Sequence, residues 1–277
     1  MPTTVEPDDA PAPFSPAALE ALRLESRRRT DELRRDFAHE LDVAYGPHPR
    51  QRADVYLPDG PPAGPVLVFL HGGGFRVGDH GSVGYHGRPY LERGAIFVTM
   101  GYRLVPDLRF PEMCDDVEAG LNWLADHAAA KGGDPDRIHL SGHSAGAALA
   151  AMVALRPLEL RSPDLVRGLV AISGLYDYRE RSAEDTDMAS RRFVPDLTAA
   201  VERLPGHTIV IWGDQDLPFA APDGEALAAA IEAKGGSVDR FVEPGADHFQ
   251  ANRGFVDPAG TVAAAVNTMM GLTPAGT

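Results

Sequence analysis

The chain has 277 residues, 44% apolar and 24% charged, which excludes a disordered or coiled-coil protein and suits a single α/β domain. Forty acidic against 26 basic residues leave a net charge of −14, so a continuous basic face for nucleic acid or anionic lipid is excluded. The one cysteine, Cys114, rules out an internal disulfide or a cysteine-based metal site and is expected to be a buried small apolar residue.

Residues 1–14 are acidic and Pro-rich, lack the basic and apolar regions of a signal peptide, and read as a flexible tail. With no run of 18 apolar residues to span a membrane, the protein is expected to be cytoplasmic. Ser15 and Pro16 form an N-cap and first helical position, predicting a helix to about His39. Leu19, Leu22, Leu33, Phe37 and Leu41 give that helix a broken apolar stripe. Its arginines, Arg27–Arg28–Arg29 and Arg34–Arg35, alternate with acids and read as solvated charges.

Beyond it, short apolar runs alternate with helical patterns. Val66–Leu70, Ala95–Met100, Ile138–Leu140, Leu165–Ile172 and Thr208–Trp212 are continuous runs of strand length, as expected for strands covered on both faces, and Val238–Glu243 is strand-like. Asp115–Lys131 carries Val117, Leu121, Leu124 and Ala128 at helical spacing and stops at Gly132–Gly133. Ala145–Leu155 and Asp223–Lys234 read as Ala-rich helices, and Asp257–Pro258 opens a last helix ending at Gly271. The alternation predicts a mostly parallel sheet with helices on both faces, and residues 15–277 as one domain. Residues 175–204 are polar, Arg-rich and without a clear period, and are expected to form a short lid.

Gly142-His143-Ser144-Ala145-Gly146 fits G-x-S-x-G, here between a predicted strand and a predicted helix. That context lifts the Ser144 hydroxyl out of a tight turn and aims a helix N-terminus at the reacting centre. His71-Gly72-Gly73-Gly74-Phe75 follows the strand Val66–Leu70 directly. Three successive glycines let peptide N–H groups converge on one spot, where with the Ala145 N–H they would stabilise an oxyanion. A phosphate-cradling loop is the rival, but no G-K-[ST] follows.

A serine hydroxyl needs a base to take its proton and an acid to orient that base. His248 is the only histidine beyond position 207, and it lies after the Val238–Glu243 run. Asp216, with Asp214 as the alternative, follows the Thr208–Trp212 run, and Asp247 reads as a loop cap. His80 and His86 lie in a Gly-rich segment where they are candidates to touch substrate. Phe75 and Met188 are candidates to line the pocket, and Trp123 and Trp212 read as core. No H-E-x-x-H occurs, and neither a metal nor a cofactor is expected.

These motifs resemble the hormone-sensitive-lipase-like esterase group of α/β-hydrolases, which carries H-G-G-G-[FW] and Y-R-L-x-P. Here those segments are His71–Phe75 and Tyr102-Arg103-Leu104-Val105-Pro106, followed by Phe110-Pro111 and Asp115-Asp116-Val117. Asp134-Pro135-Asp136-Arg137-Ile138 leads into the serine motif, and the resemblance covers residues 43–252. Tyr45-Gly46-Pro47, Asp54-Val55-Tyr56, the elbow extended to Ala147, Ser173-Gly174-Leu175-Tyr176-Asp177 and His248-Phe249 look closer to the arylformamidase branch. That branch usually has Trp where this chain has Phe75.

The resemblance implies an α/β-hydrolase fold with Ser144 as nucleophile, His248 as base, Asp216 as acid, and Gly73, Gly74 and Ala145 as oxyanion donors. It also implies that the helix at 15–40 contributes to a cap. The expected function is hydrolysis of a small carboxylic ester through an acyl-enzyme, without a cofactor. The alternative is hydrolysis of an aryl formamide such as N-formylkynurenine. An acyltransferase, a biosynthetic cyclase or a non-catalytic binding protein of the same fold ranks below both. The expected partner is a small-molecule ester or amide, with a homodimer left open.

Overall fold

The continuous Val-, Ile- and Leu-rich runs become interior strands because each is covered on both faces; all five residues of Val66–Leu70, for example, are buried. The computed structural model describes residues 15–60, 64–106, 108–156, 160, 162, 164–177, 196–199 and 201–272. The expected tail at 1–14, Met188 and most of the expected lid lie outside the described residues. The chain runs α1 (Pro16–Asp36), β1 (His39–Ala44), β2 (Arg52–Tyr56), β3 (Val66–Leu70), α2 (Arg88–Leu91) and β4 (Ile96–Met100). It continues through α3 (Phe110–Ala130), β5 (Ile138–His143), α4 (Ala145–Leu155), β6 (Val166–Ile172) and β7 (His207–Gly213). It closes with α5 (Ala220–Ala233), β8 (Val238–Glu243), α6 (Arg253–Val256) and α7 (Thr261–Met269).

The eight strands form one sheet in the order β1-β2-β4-β3-β5-β6-β7-β8. The β1–β2 and β2–β4 pairs are antiparallel, and every pair from β4 onward is parallel. One apolar layer joins the sheet to α3, α4 and α5 through Val117, Leu121, Leu149, Leu227 and their neighbours. The other sets α1, α2 and α7 against the opposite face through Leu33, Phe37, Tyr90, Val262 and Val266. The register places Leu70 opposite Gly142 and His143 opposite Ile172, so the C-terminal ends of β3, β5 and β6 line up at one edge. Ligands of open α/β sheets bind at that edge.

Local chemistry moves several boundaries. The first helix is capped by the Ser15 side chain and stops at Asp36 rather than His39, because the chain must extend into β1. Its Thr30 hydroxyl donates to the Ser82 carbonyl and accepts from the Tyr85 N–H, tying α1 to the 80–87 segment. The third helix starts at Phe110 rather than Asp115, with Pro111 in its first turn and Glu112 reaching back to the Arg109 N–H. The last helix starts at Thr261, because the Asp257 carboxylate accepts from the Ala259 N–H and closes a separate turn first. Cys114 is buried in the α3 layer, and burial raises its thiol pKa well above the ordinary value.

Candidate active site

Ser144 sits between β5 and α4 with φ 54° and ψ −119°, a backbone region that a non-glycine residue adopts only under constraint. The constraint is close packing on both sides. A Cβ on Gly142 would lie 2.4 Å from the Gly146 carbonyl oxygen, and one on Gly146 would lie 2.2 Å from that of Leu70. The turn is therefore pressed against β3, and the Ser144 N–H is held by the Ile172 carbonyl at 2.9 Å.

Two residues remote in sequence complete a line from this hydroxyl. His248 Nε2 lies 3.0 Å from Ser144 Oγ, and its Nδ1 lies 2.7 Å from Asp216 Oδ1. The histidine and aspartate side chains are only 7% and 2% exposed. Burial on its own would raise the Asp216 pKa, but hydrogen bonds from His248 and Ser173 outweigh it and hold the carboxyl below its usual range. The carboxyl is thus an anion, Nδ1–H donates to it, and Nε2 faces the serine hydroxyl with its acceptor lone pair.

The sequence left Asp216 and Asp214 as alternatives, and the geometry separates them. Asp214 accepts from the Gly245 N–H at 2.6 Å and staples two neighbouring loops, whereas Asp216 reaches His248. Asp247 accepts from the N–H groups of Phe249 and Gln250, both at 2.9 Å, and so caps the turn that carries His248.

The glycine loop runs alongside the elbow: a Cβ on Gly72 would lie 3.3 Å from the Ser144 Cβ. Gly73 and Gly74 have φ of +124° and +60°, and the Gly73 carbonyl accepts from Arg76 and Val77. That turn leaves the Gly73 and Gly74 N–H groups without an acceptor among the described residues, as is the Ala145 N–H at the start of α4. His71 fixes the root of the loop. Its ring stacks on Tyr102 at 4.4 Å, and its carbonyl accepts from the Tyr102 hydroxyl at 2.7 Å. Burial holds its pKa down to about 4, so the ring is neutral.

Three sequence candidates do not join this cluster. Phe75, expected to line the pocket, is 2% exposed and packs edge-on against Phe110 at 5.5 Å, which makes it an anchor of the loop in the core. His86 is buried and stacked on Phe69 at 4.1 Å, with Nδ1–H donating to the Val83 carbonyl and Nε2 accepting from Asn252. His80 pairs with Asp42 instead. Two contributors lie within motifs of the sequence that assign them no role. Ser173 donates to Asp216 Oδ2 at 2.5 Å from a position 43 residues away in the chain. His143, in the variable position of the elbow, lies 2.8 Å through Nε2 from the His248 carbonyl oxygen, with the two rings 4.9 Å apart. Burial, followed by the neighbouring His248, lowers the His143 pKa to about 4, so its ring is neutral and its Nε2–H is the donor.

Comparison with known proteins agrees with the fold. Residues 67–203 match a family model described as the α/β-hydrolase fold. A thermostable carboxylesterase cloned from a metagenomic library superposes with a TM-score of 0.68 at 24% identity, covering 94% of this chain and 98% of that one. The protein has the α/β-hydrolase fold. Several of the relatives it matches are named as esterases. The probable isoprenylcysteine alpha-carbonyl methylesterase of Arabidopsis thaliana is 39% identical over 240 residues, 74% of this chain and 50% of that protein. A carboxylesterase of Mycobacterium tuberculosis is 29% identical over 221 residues, 70% of this chain and 69% of that one. The chain spans about half the length of the first plant methylesterases it matches.

Proposed function

We propose that the protein is a serine carboxylesterase acting on small carboxylic esters. The observation that carries this reading is the single His248 ring within hydrogen-bond distance of both Ser144 Oγ and Asp216 Oδ1. Ser144 Oγ attacks the ester carbonyl as its proton passes to His248 Nε2, and Asp216 stabilises the imidazolium that forms. The carbonyl oxygen takes up negative charge and is received by the N–H groups of Gly73, Gly74 and Ala145, each of which is worth about 10²–10³ in rate. His248 then protonates the departing alcohol, and a water activated by the same base hydrolyses the acyl-enzyme. No step calls for a metal or cofactor.

The leaving group is the part of the substrate that meets His248. Phe219 and Phe249, both half-buried, place their rings 6.3 and 5.7 Å from the His248 ring. Such walls suit an aryl leaving group. The same walls support a second reading, hydrolysis of an aryl formamide, in which an aromatic amine departs in place of an alcohol.

Steady-state hydrolysis of p-nitrophenyl acetate, p-nitrophenyl octanoate and N-formylkynurenine by wild type and Ser144→Ala tests both. The expected result is ester turnover that falls on the order of 10⁴–10⁶ in kcat in the variant. A higher kcat/KM for the formamide than for either ester would install the second reading. Undiminished activity of Ser144→Ala would remove both.

A further inference from the structure

Ser173 follows β6 with φ +50°, one of four non-glycine residues at positive φ among those described, and Ser144 is another. A left-handed serine is held there at a cost that glycine would not incur, and such outliers collect at sites where the strain serves a purpose. The residue is 2% exposed, and its N–H donates to the Ile211 carbonyl at 2.8 Å, which fixes it between β6 and β7. Its hydroxyl points at the carboxylate behind the histidine. Asp216 Oδ1 meets His248 Nδ1–H and the Leu217 N–H, each at 2.7 Å. Oδ2 meets Ser173 Oγ–H at 2.5 Å and the Gly213 N–H at 3.3 Å. Without the hydroxyl, only the long Gly213 contact remains on Oδ2, and the carboxylate is free to rotate away from the ring.

We propose that Ser173 is a positioning residue for hydrolysis: its hydroxyl locks the Asp216 carboxylate in the orientation from which Oδ1 holds the His248 ring. The assignment rests on the serine-hydrolase reading above and deepens it. A hydrogen bond to a charged group at this depth contributes enough for its loss to lower kcat/KM about 10- to 100-fold. The loss falls on kcat, because the imidazolium forms in the transition state and not on substrate binding. The pH profile carries a second signature. A carboxylate relieved of one donor attracts the imidazolium proton more strongly, so the acid limb of kcat/KM moves to higher pH. The Ser144 hydroxyl and the His143 ring face the pair, and the nearby carboxylates of Asp214 and Asp247 are held by backbone N–H groups of the flanking loops. Asp223, from α5, holds the N–H groups of Tyr176 and Asp177 just beyond Ser173.

The test compares Ser173→Ala, Ser173→Gly and Ser173→Cys with wild type and Ser144→Ala on p-nitrophenyl acetate across pH, alongside thermal unfolding. Glycine removes the hydroxyl while relieving the backbone, so the two roles separate. The expected order of kcat/KM is wild type, then Cys with its weaker S–H donor, then Ala and Gly together. The Ala and Gly variants show the shifted acid limb, and Gly has a Tm equal to or above that of wild type. A Ser173→Gly enzyme with wild-type kcat and an unmoved acid limb overturns the proposal. So does a loss of activity that follows Tm across the three variants and disappears at lower temperature. An active Ser144→Ala enzyme would instead remove the serine-hydrolase reading, and the Ser173 assignment with it.

Discussion

Acid should weaken this fold as pH falls below about 6.5, because His71, His86 and His139 are buried and His143 is half-buried beside His248, all in the neutral form. Burial lowers His71, His139 and His143 from the ordinary 6.5 to about 4 and His86 to about 3. A released chain takes up a proton at each of these rings below about pH 6.5, whereas the folded chain refuses it until pH 4 or lower. The stability they confer is therefore complete above pH 6.5 and drains away between 6.5 and 4. From pH 7 to pH 5 each ring contributes a loss of about 2 kcal/mol, and the four together about 7 kcal/mol. Near pH 5 the slope is about 5 kcal/mol per pH unit. Asp216, whose carboxyl is held below its ordinary 3.8, adds its own loss only as pH falls below about 4. Since whole domains have roughly 5–15 kcal/mol to lose, a loss of this size is a large share of the stability by pH 5. Urea unfolding followed by the fluorescence of Trp123 and Trp212 between pH 7.5 and 5 measures this directly. His86→Phe removes one titrating ring and should reduce the slope by about a quarter. A stability that changes by less than about 1 kcal/mol over the range, or an unaltered slope in His86→Phe, would refute the reasoning.

Three further expectations concern the site. Asp216→Asn should lower kcat by about 10⁴, while Asp214→Asn, whose carboxylate accepts from the Gly245 N–H, should stay within a few-fold of wild type; steady-state kinetics of the pair decides between the two acids. Gly73→Ala drives a Cβ to 2.2 Å from the Val77 carbonyl oxygen at φ +124°, displacing the oxyanion loop. Its kcat should fall about 10²–10³ with KM little changed, seen in initial rates on p-nitrophenyl acetate. His143→Leu removes the donor to the His248 carbonyl and should lower kcat about tenfold, while His143→Gln, which keeps an N–H, recovers part of it.

The interior of the sheet was legible because a strand buried on both faces writes its whole length in apolar residues, as Val66–Leu70 does. The two strands before it were not. Residues His39–Ala44 form an edge with no buried position, and Asp42 at φ +58° breaks the ladder where its register shifts. Arg52–Tyr56 is mostly buried, but the polar Arg52 and Asp54 break the apolar run that would mark it as a strand. The start of α3 carried a readable signal in Pro111 and Glu112, which lie outside the apolar period that otherwise marks that helix. At the site, Ser144 and the glycine loop announce themselves through local spacing, since each needs its own turn. Ser173 and His143 act on residues 43 and 105 positions away, and no local pattern encodes such a contact.

The order of the strands also sets a timetable. The nucleophile turn and the glycine loop belong to β3 and β5, while the acid and the base follow β7 and β8 at positions 216 and 248. A chain emerging from the ribosome therefore completes the turn that carries its serine long before the groups that arm it have been made. During that interval Ser144 has neither His248 nor Asp216 beside it. On the proposed mechanism, reactivity would arrive only with the final strand, in the same event that closes the sheet.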